Sequence, residues 1–171
     1  MNGGQMMITI GALMLLSIVI LRVNIGNLNT NEVLIESKVE ILATSLANSI
    51  IEEAFTKEFD ENTLSTPAEL LSNLTPATSL KPEGETYPNF DDMDDFNGLD
   101  IFKDIPGGDN YEIICTVEYV DPANPEIASA IRTWNKKITV KVTSKGMTQI
   151  LNDQTIQDTI KMSSVRSYWY F

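Results

Sequence analysis

The feature that most constrains this chain is its uncharged N-terminal segment, because the first charged residue is Arg22. Residues 6–21 are apolar except for Thr9 and Ser17, whose hydroxyls can bond back to the carbonyls of a helix. A helix needs about 20 apolar residues to cross a bilayer, so residues 1–23 are just long enough, and Arg22 can extend to the interface. A terminal segment that is apolar on all sides is rarely the core helix of a small domain. We therefore expect a transmembrane helix.

A cleaved secretory signal is the alternative to a retained membrane helix. Such a signal begins with a basic segment and ends at a cleavage site made of small residues. Residues 1–5 hold no Lys or Arg, and nothing like Ala-x-Ala follows Leu21. A retained single-pass helix is therefore expected. The acidic region after Arg22 suits a C-terminal domain outside the cytoplasm, on the cell surface or in the periplasm.

A second helical pattern covers residues 24–60. The stretch at residues 22–31 is rich in Asn and contains Gly26, so a partly melted or bent joint is expected there. From Glu32 to about Phe59 apolar residues recur every three or four positions, which predicts an amphipathic helix that continues the first. Its apolar stripe is Ile35, Val39, Leu42, Leu46, Ile50 and Ala54.

The remaining chain divides into a loop region and a sheet. Residues 61–110 are expected to form a Pro/Asp-rich loop region, since five of the seven prolines lie there. In residues 111–171 apolar residues recur at every second position, which predicts strands in an antiparallel meander. The expected strands are residues 111–119, 137–143 and about 157–169, with connections at residues 121–134 and around 146–154.

Together these segments predict an α+β fold, in which a long N-terminal helix packs on a small antiparallel β-meander. Cys115 falls on the apolar face of the first expected strand. A buried, inert thiol is therefore expected there.

Composition excludes several classes of function. The net charge of −12 argues against nucleic-acid binding, which needs a basic patch to displace counterions. The chain has no His and one Cys, so the usual general base, a Cys–His pair and a cysteine-based zinc site are all excluded. With no phosphate-binding Gly-rich loop and no nucleophile beside a base, the sequence does not predict an enzyme.

An apolar N-terminal helix, an amphipathic continuation and an antiparallel meander resemble the type IV pilins and pseudopilins, over nearly the whole chain. In that family a prepilin-type peptidase cuts after a glycine just before the apolar segment, and Gly4-Gln5 resembles such a junction. The resemblance implies a membrane-anchored subunit whose helix packs with its own copies or with other pilin-like subunits in a filament. The helix residues implied in assembly are Met6, Ile8, Ile10, Leu13, Leu16 and Ile20.

The chain departs from the family at two points near its N-terminus. The family leader usually carries a basic residue, and Met1–Gly4 has none. Most major pilins have a glutamate at the fifth mature position, which pairs with a neighbouring N-terminal amine, whereas the fifth residue counted from Gln5 is Thr9. Some members that prime or cap a filament lack that glutamate, so the resemblance leaves a minor or tip role open.

The acidic loop from Glu83 to Asp104 holds eight carboxylates and one base, Lys103. Calcium takes six to eight oxygen ligands from flexible loops, so this loop is a candidate calcium site. The alternative is a solvated loop whose Asp and Asn cap turns, while Phe90 and Phe96 pin it to the domain. The candidate calcium ligands are Asp91, Asp92, Asp94, Asp95 and Asn97.

Two functions remain. The first is a pilin-like structural subunit of an extracellular filament or secretion pseudopilus, and the second is a non-polymerising, single-pass anchored exterior binding domain. The four consecutive aromatics at residues 168–171 are expected either to form a subunit contact through Trp169 and Phe171 or to close the sheet against the Pro-rich loop.

Overall fold

The computed structural model describes residues 3–106, 109–151 and 154–169. This part of the chain divides into two units, residues 1–38 and 39–171. The described elements are α1 (Gly3–Thr56), β1 (Asp100–Asp104), β2 (Asn110–Asp121), β3 (Asn124–Ala128), β4 (Asn135–Leu151) and β5 (Gln154–Ser167), with single 3₁₀ turns at Glu61–Thr63, Leu71–Asn73 and Asp94–Phe96.

Helix α1 includes residues 22–31, where the sequence predicts a weakened joint. Each Asn there costs about 0.7 kcal/mol or less relative to Ala, and Gly26 costs about 1 kcal/mol. These local costs do not interrupt the helix, so the melted joint is not present in the described backbone.

The sheet is antiparallel, with strand order β1-β2-β4-β5 and with β3 paired to β2. Together with α1 it makes the fold α+β, as predicted. The prediction of three strands is wrong, because the described residues form five. The two short ones, β1 and β3, lie in segments expected to be loops; each has only five residues, and its pairing with β2 depends on tertiary context rather than on its own pattern.

Strands β4 and β5 run further than predicted, through most of the connection expected at residues 146–154. Their register shifts between Thr143 and Thr148, next to Gly146. The backbone N–H of Gly146 and the hydroxyl of Ser144 both donate to Asp109 Oδ2, each at 2.5 Å. An irregularity of this kind breaks the alternation of apolar residues, and this explains why the pattern ends before the strands do.

The core of the unit at residues 39–171 lies between the end of α1 and one face of the sheet. Ala43, Ala47 and Ala54 are fully buried on the helix side of this core. The inward face of β2 alternates as predicted, and Cys115 is buried on it, also as predicted. The sheet side of the core is formed by Tyr111, Ile113, Cys115, Val117, Ile138, Val140 and Val142.

The segment between α1 and β1 is pinned to this core by aromatic side chains. Phe90 and Phe96 are buried and meet edge to face, with ring centroids 5.0 Å apart. The anchoring role predicted for these two residues is therefore confirmed. A backbone hydrogen bond from Met93 N to Glu58 O fixes the same segment beside the end of α1.

Candidate functional site

The first candidate is the apolar surface of residues 3–26. These residues form a helical segment with mean hydropathy 2.4, and 0% of its apolar stretch is buried within the chain. This one helix is long and apolar enough to span a membrane. Thr9 Oγ1 donates to Gln5 O and Met6 O, and Ser17 Oγ donates to Leu13 O, so both predicted back-bonds are confirmed. The six predicted assembly residues are each 49–73% exposed: Met6, Ile8, Ile10, Leu13, Leu16 and Ile20.

The predicted processing residues lie at the start of this helix. Gly4 and Gln5 are both exposed in the first turns of α1. A cut between them would leave Thr9 as the fifth residue. Its hydroxyl is turned to carbonyls of its own helix, where it offers no charge to a neighbouring amine.

The second candidate is the acidic segment, much of which is buried rather than solvated. Asp92, Asp94 and Asp95 are each 0% exposed. Asp92 Oδ1 accepts from the backbone N–H groups of Asp94 and Asp95, at 2.6 and 3.1 Å. Asp95 Oδ2 accepts in turn from the N–H groups of Asp91 and Asp92. Each of the two carboxylates therefore stabilises the tight turn that contains it.

Asp94 joins a buried ionic centre that the sequence pattern of the acidic loop does not predict. Its Oδ1 lies 2.5 Å from Lys136 Nζ, which also lies 2.8 Å from Asp60 Oδ2 and 2.8 Å from Phe59 O. All three charged side chains are 0% exposed. The ammonium also stands 4.5 Å from the centroid of the Phe59 ring, within cation–π range. We call Asp60, Asp94 and Lys136 the lysine centre.

Asp60 is the better satisfied carboxylate of the lysine centre. It accepts from Thr75 N, from Thr75 Oγ1 and from the Tyr119 hydroxyl, at 2.9–3.0 Å. Burial would raise the pKa of Asp60, but the charge and hydrogen bond of Lys136 and the bonds from Thr75 hold it below its ordinary value. This group therefore remains ionised and neutralises Lys136.

The other buried aspartates have fewer donors. Burial raises the pKa of Asp94 to about 7 in spite of the opposing charge of Lys136, since one ammonium serves two carboxylates. Burial, together with the charges of Asp94 and Asp95, raises the pKa of Asp92 to about 8. Within the described chain, Asp92 Oδ2 and Asp94 Oδ2 have no hydrogen-bond partner. Lys136 is therefore balanced by Asp60, while Asp92 and Asp94 take up protons at a higher pH than an ordinary aspartate does.

A separate group is formed by Glu83, Glu85 and Asp95, which we call the acidic trio. Each contributes a carboxylate oxygen, and these oxygens lie within 4.8 Å of one another. Burial and the charges of Glu61, Asp95 and Glu85 raise the pKa of Glu83. Oxygens at this spacing are close enough for one cation to contact them.

The candidate calcium ligands are not brought together as one set. Asp95 belongs to the acidic trio and Asp94 to the lysine centre. Asp92 caps the tight turn formed by residues 92–95. Asp91 is exposed. The amide of Asn97 donates to Leu80 O at 2.7 Å and accepts from Val117 N at 3.0 Å, so both of its ends are used to clamp the segment onto β2.

Sequence signals existed for some of the residues that were missed. Lys136 lies two positions before Ile138, so the period of two places it on the inward face of β4. A lysine at an inward position requires a buried partner. Glu83 and Glu85 were counted in the acidic loop, but nothing in their spacing relates them to Asp95.

The C-terminal aromatics Tyr168 and Trp169 differ in exposure. Tyr168 stacks on Trp134, with centroids 5.6 Å apart and planes at 16°, and its hydroxyl accepts from Ala68 N at 2.9 Å. Trp169 is 75% exposed. It borders a surface groove of about 540 Å³ that Trp134 and Tyr168 also line. Phe171, the other predicted contact, lies outside the described residues.

Comparison of the chain with protein-family models, with characterised proteins and with solved structures found no match.

Proposed function

We propose that this protein is a pilin-like structural subunit of an extracellular filament or a secretion pseudopilus. One observation carries the proposal: residues 3–26 form an apolar helical segment that is 0% buried within the chain. An apolar surface of this size is stable only when something else covers it. Lipid is one cover, and the helices of other subunits are another.

The chemistry of this segment suits a helix that moves between the two environments. Lipid tails are as apolar as Leu or Ile, so a helix that leaves lipid for a bundle of helices meets no hydrophobic penalty. The hydroxyls of Thr9 and Ser17 are already bonded to their own helix. Neither requires a partner in lipid or in a filament, which supports exchange between the two.

The position of Thr9 supports a minor subunit, at the tip or in the priming complex, rather than the main repeating one. The family's glutamate pairs with the N-terminal amine of a neighbour, and Thr9 has no charge to offer. In this proposal the unit at residues 39–171 lies outside the cytoplasm, and a prepilin-type peptidase removes Met1–Gly4.

Intact mass and terminal-peptide mapping of protein from native membranes test this proposal. We expect a chain that begins at Gln5. Gly4→Val should block the cut, because the family's peptidase cuts after a glycine, and Gly11→Ala is the matched glycine control that should leave it unchanged. A chain that begins at Met1 would contradict the processing step, and loss of everything through about Val23 would identify a secretory signal instead.

The exposed Trp169 and its groove favour the second candidate, an anchored exterior domain that binds a partner without polymerising. The two functions differ in the state of the protein in mild detergent. A pilin-like subunit should co-purify with itself or with other pilin-like subunits through the apolar helix, and Leu13→Asp should abolish this. If the protein is a monomer and Trp169→Ala removes the only co-purifying partner, the exterior-domain function is the correct one.

A further inference from the structure

The acidic trio differs from an ordinary group of surface carboxylates in the burial of one member. Asp95 is 0% exposed, yet its Oδ1 has no hydrogen-bond partner within the described chain. The buried Oε2 of Glu85 is in the same condition. A buried carboxylate oxygen without a donor is costly unless a cation or water satisfies it. Two such oxygens in one group point to a ligand.

The orientation of Asp95 is fixed before any ligand arrives. Its Oδ2 accepts from the backbone N–H groups of Asp91 and Asp92, at 3.1 and 3.4 Å. This leaves the other oxygen of the carboxylate for the ligand. Hydrogen bonds of this kind hold metal ligands in place in known sites.

The spacing fits one hard cation. Calcium–oxygen distances are about 2.3–2.6 Å, so two oxygens on opposite sides of a calcium ion lie about 4.8 Å apart, and other pairs lie closer. The oxygens of Glu83, Glu85 and Asp95 all fall within 4.8 Å of one another. A single ion can therefore contact all three.

The charged groups next to the acidic trio are also negative. Glu61 feels the negative charge of Asp91, Glu85 and Asp95, and Glu83 feels that of Glu61 as well. Lys136, the buried base of this region, is already bonded to Asp60 and Asp94. A divalent cation would relieve this repulsion.

We propose that Glu83, Glu85 and Asp95 bind one Ca²⁺ ion, with water completing its coordination on the exposed side of Glu83. Calcium is favoured over Mg²⁺ because Mg²⁺ demands a near-ideal octahedron, whereas Ca²⁺ accepts the irregular arrangement that three carboxylates from two separate stretches of chain offer. The bound ion joins residues 83–85 to the turn at Asp95. This site is independent of whether the protein polymerises.

Calcium titration of the full-length chain in detergent micelles, after treatment with a chelator, tests the site. We expect one saturable site with Kd of about 10⁻⁴ M, the range of exposed extracellular calcium sites. Calcium should also raise the Tm. The Asp95→Asn and Glu85→Gln variants should each bind calcium at least tenfold more weakly. In Asp95→Asn the amide oxygen can still accept from the two backbone N–H groups that hold the turn, so the turn should be kept.

Asp100→Asn is the matched control, because it removes one exposed carboxylate from the same acidic segment. It should bind calcium as the original chain does. Absence of saturable binding, equal weakening in Asp100→Asn, or Mg²⁺ binding as tight as Ca²⁺ would each overturn the proposal. Since N-terminal processing is measured separately, failure of calcium binding is distinguishable from failure of the proposed function.

Discussion

The lysine centre and the acidic trio are two carboxylate clusters built from the same region of the sequence, and they are neutralised in different ways. In the first, β4 supplies Lys136, which bonds to both Asp60 and Asp94. In the second, buried oxygens of Asp95 and Glu85 have no donor among the described residues. Asp94 Oδ2 likewise has no donor among the described residues, so the two clusters differ in their cation: the lysine centre contains Lys136, whereas the acidic trio consists of carboxylates alone. Removing a charge should therefore have opposite effects in the two clusters.

Lys136→Met gives the largest expected effect. Methionine keeps most of the side-chain volume but leaves Asp60 and Asp94 buried without a counter-charge. Breaking a buried pair from one side costs about 3–5 kcal/mol. Urea unfolding of the full-length chain, followed by tryptophan fluorescence, should show this loss. Adding Asp60→Asn and Asp94→Asn to Lys136→Met should recover part of it, and failure to recover would show that the charges are not the cause.

Asp60→Asn should lower the free energy of unfolding by about 1.5–3 kcal/mol, the usual contribution of a hydrogen bond to a charged group. The amide brings a donor where Thr75 and Lys136 already donate. The same urea unfolding experiment measures it, with Asp121→Asn as the exposed control. An unchanged midpoint would mean that Asp94 alone satisfies Lys136.

Tyr119→Phe should cost about 1 kcal/mol, the typical net value of one hydrogen bond. The Tyr119 hydroxyl lies 3.0 Å from Asp60 Oδ2 and 2.9 Å from Thr75 O, so its loss weakens the lysine centre without removing a charge. The measurement is again the free energy of unfolding. A loss as large as that of Lys136→Met would show that the ring's packing has changed as well.

Glu85→Gln should give the smallest effect, of opposite sign. In the presence of chelator it should raise the free energy of unfolding by less than about 1 kcal/mol, since it relieves repulsion from Asp95 at a partly exposed position. In millimolar calcium the variant should instead be less stable than the original chain. If Glu85→Gln destabilises in both conditions, the acidic trio stabilises the fold without a metal and the contrast between the clusters fails.

The sequence predicts what depends on local periodicity. The inward residues of β2 from Tyr111 to Tyr119 were predicted and are buried, because a period of two is sufficient to assign a face. The strand β1 was not predicted, since five residues carry too little pattern. The clusters were not predicted either: Asp60 and Lys136 are 76 residues apart, and only the completed fold brings them together.

The state of Cys115 has a practical consequence for labelling. Its thiol is buried in the core, and burial, with the charge of Glu53, raises its pKa to about 12. A thiol with this pKa is almost entirely protonated at neutral pH and reacts very slowly with maleimides or oxidants. It is also the only cysteine in the sequence. A cysteine introduced at an exposed position of the unit at residues 39–171, such as Ser72, would therefore be labelled or cross-linked selectively, and the natural cysteine can be left in place.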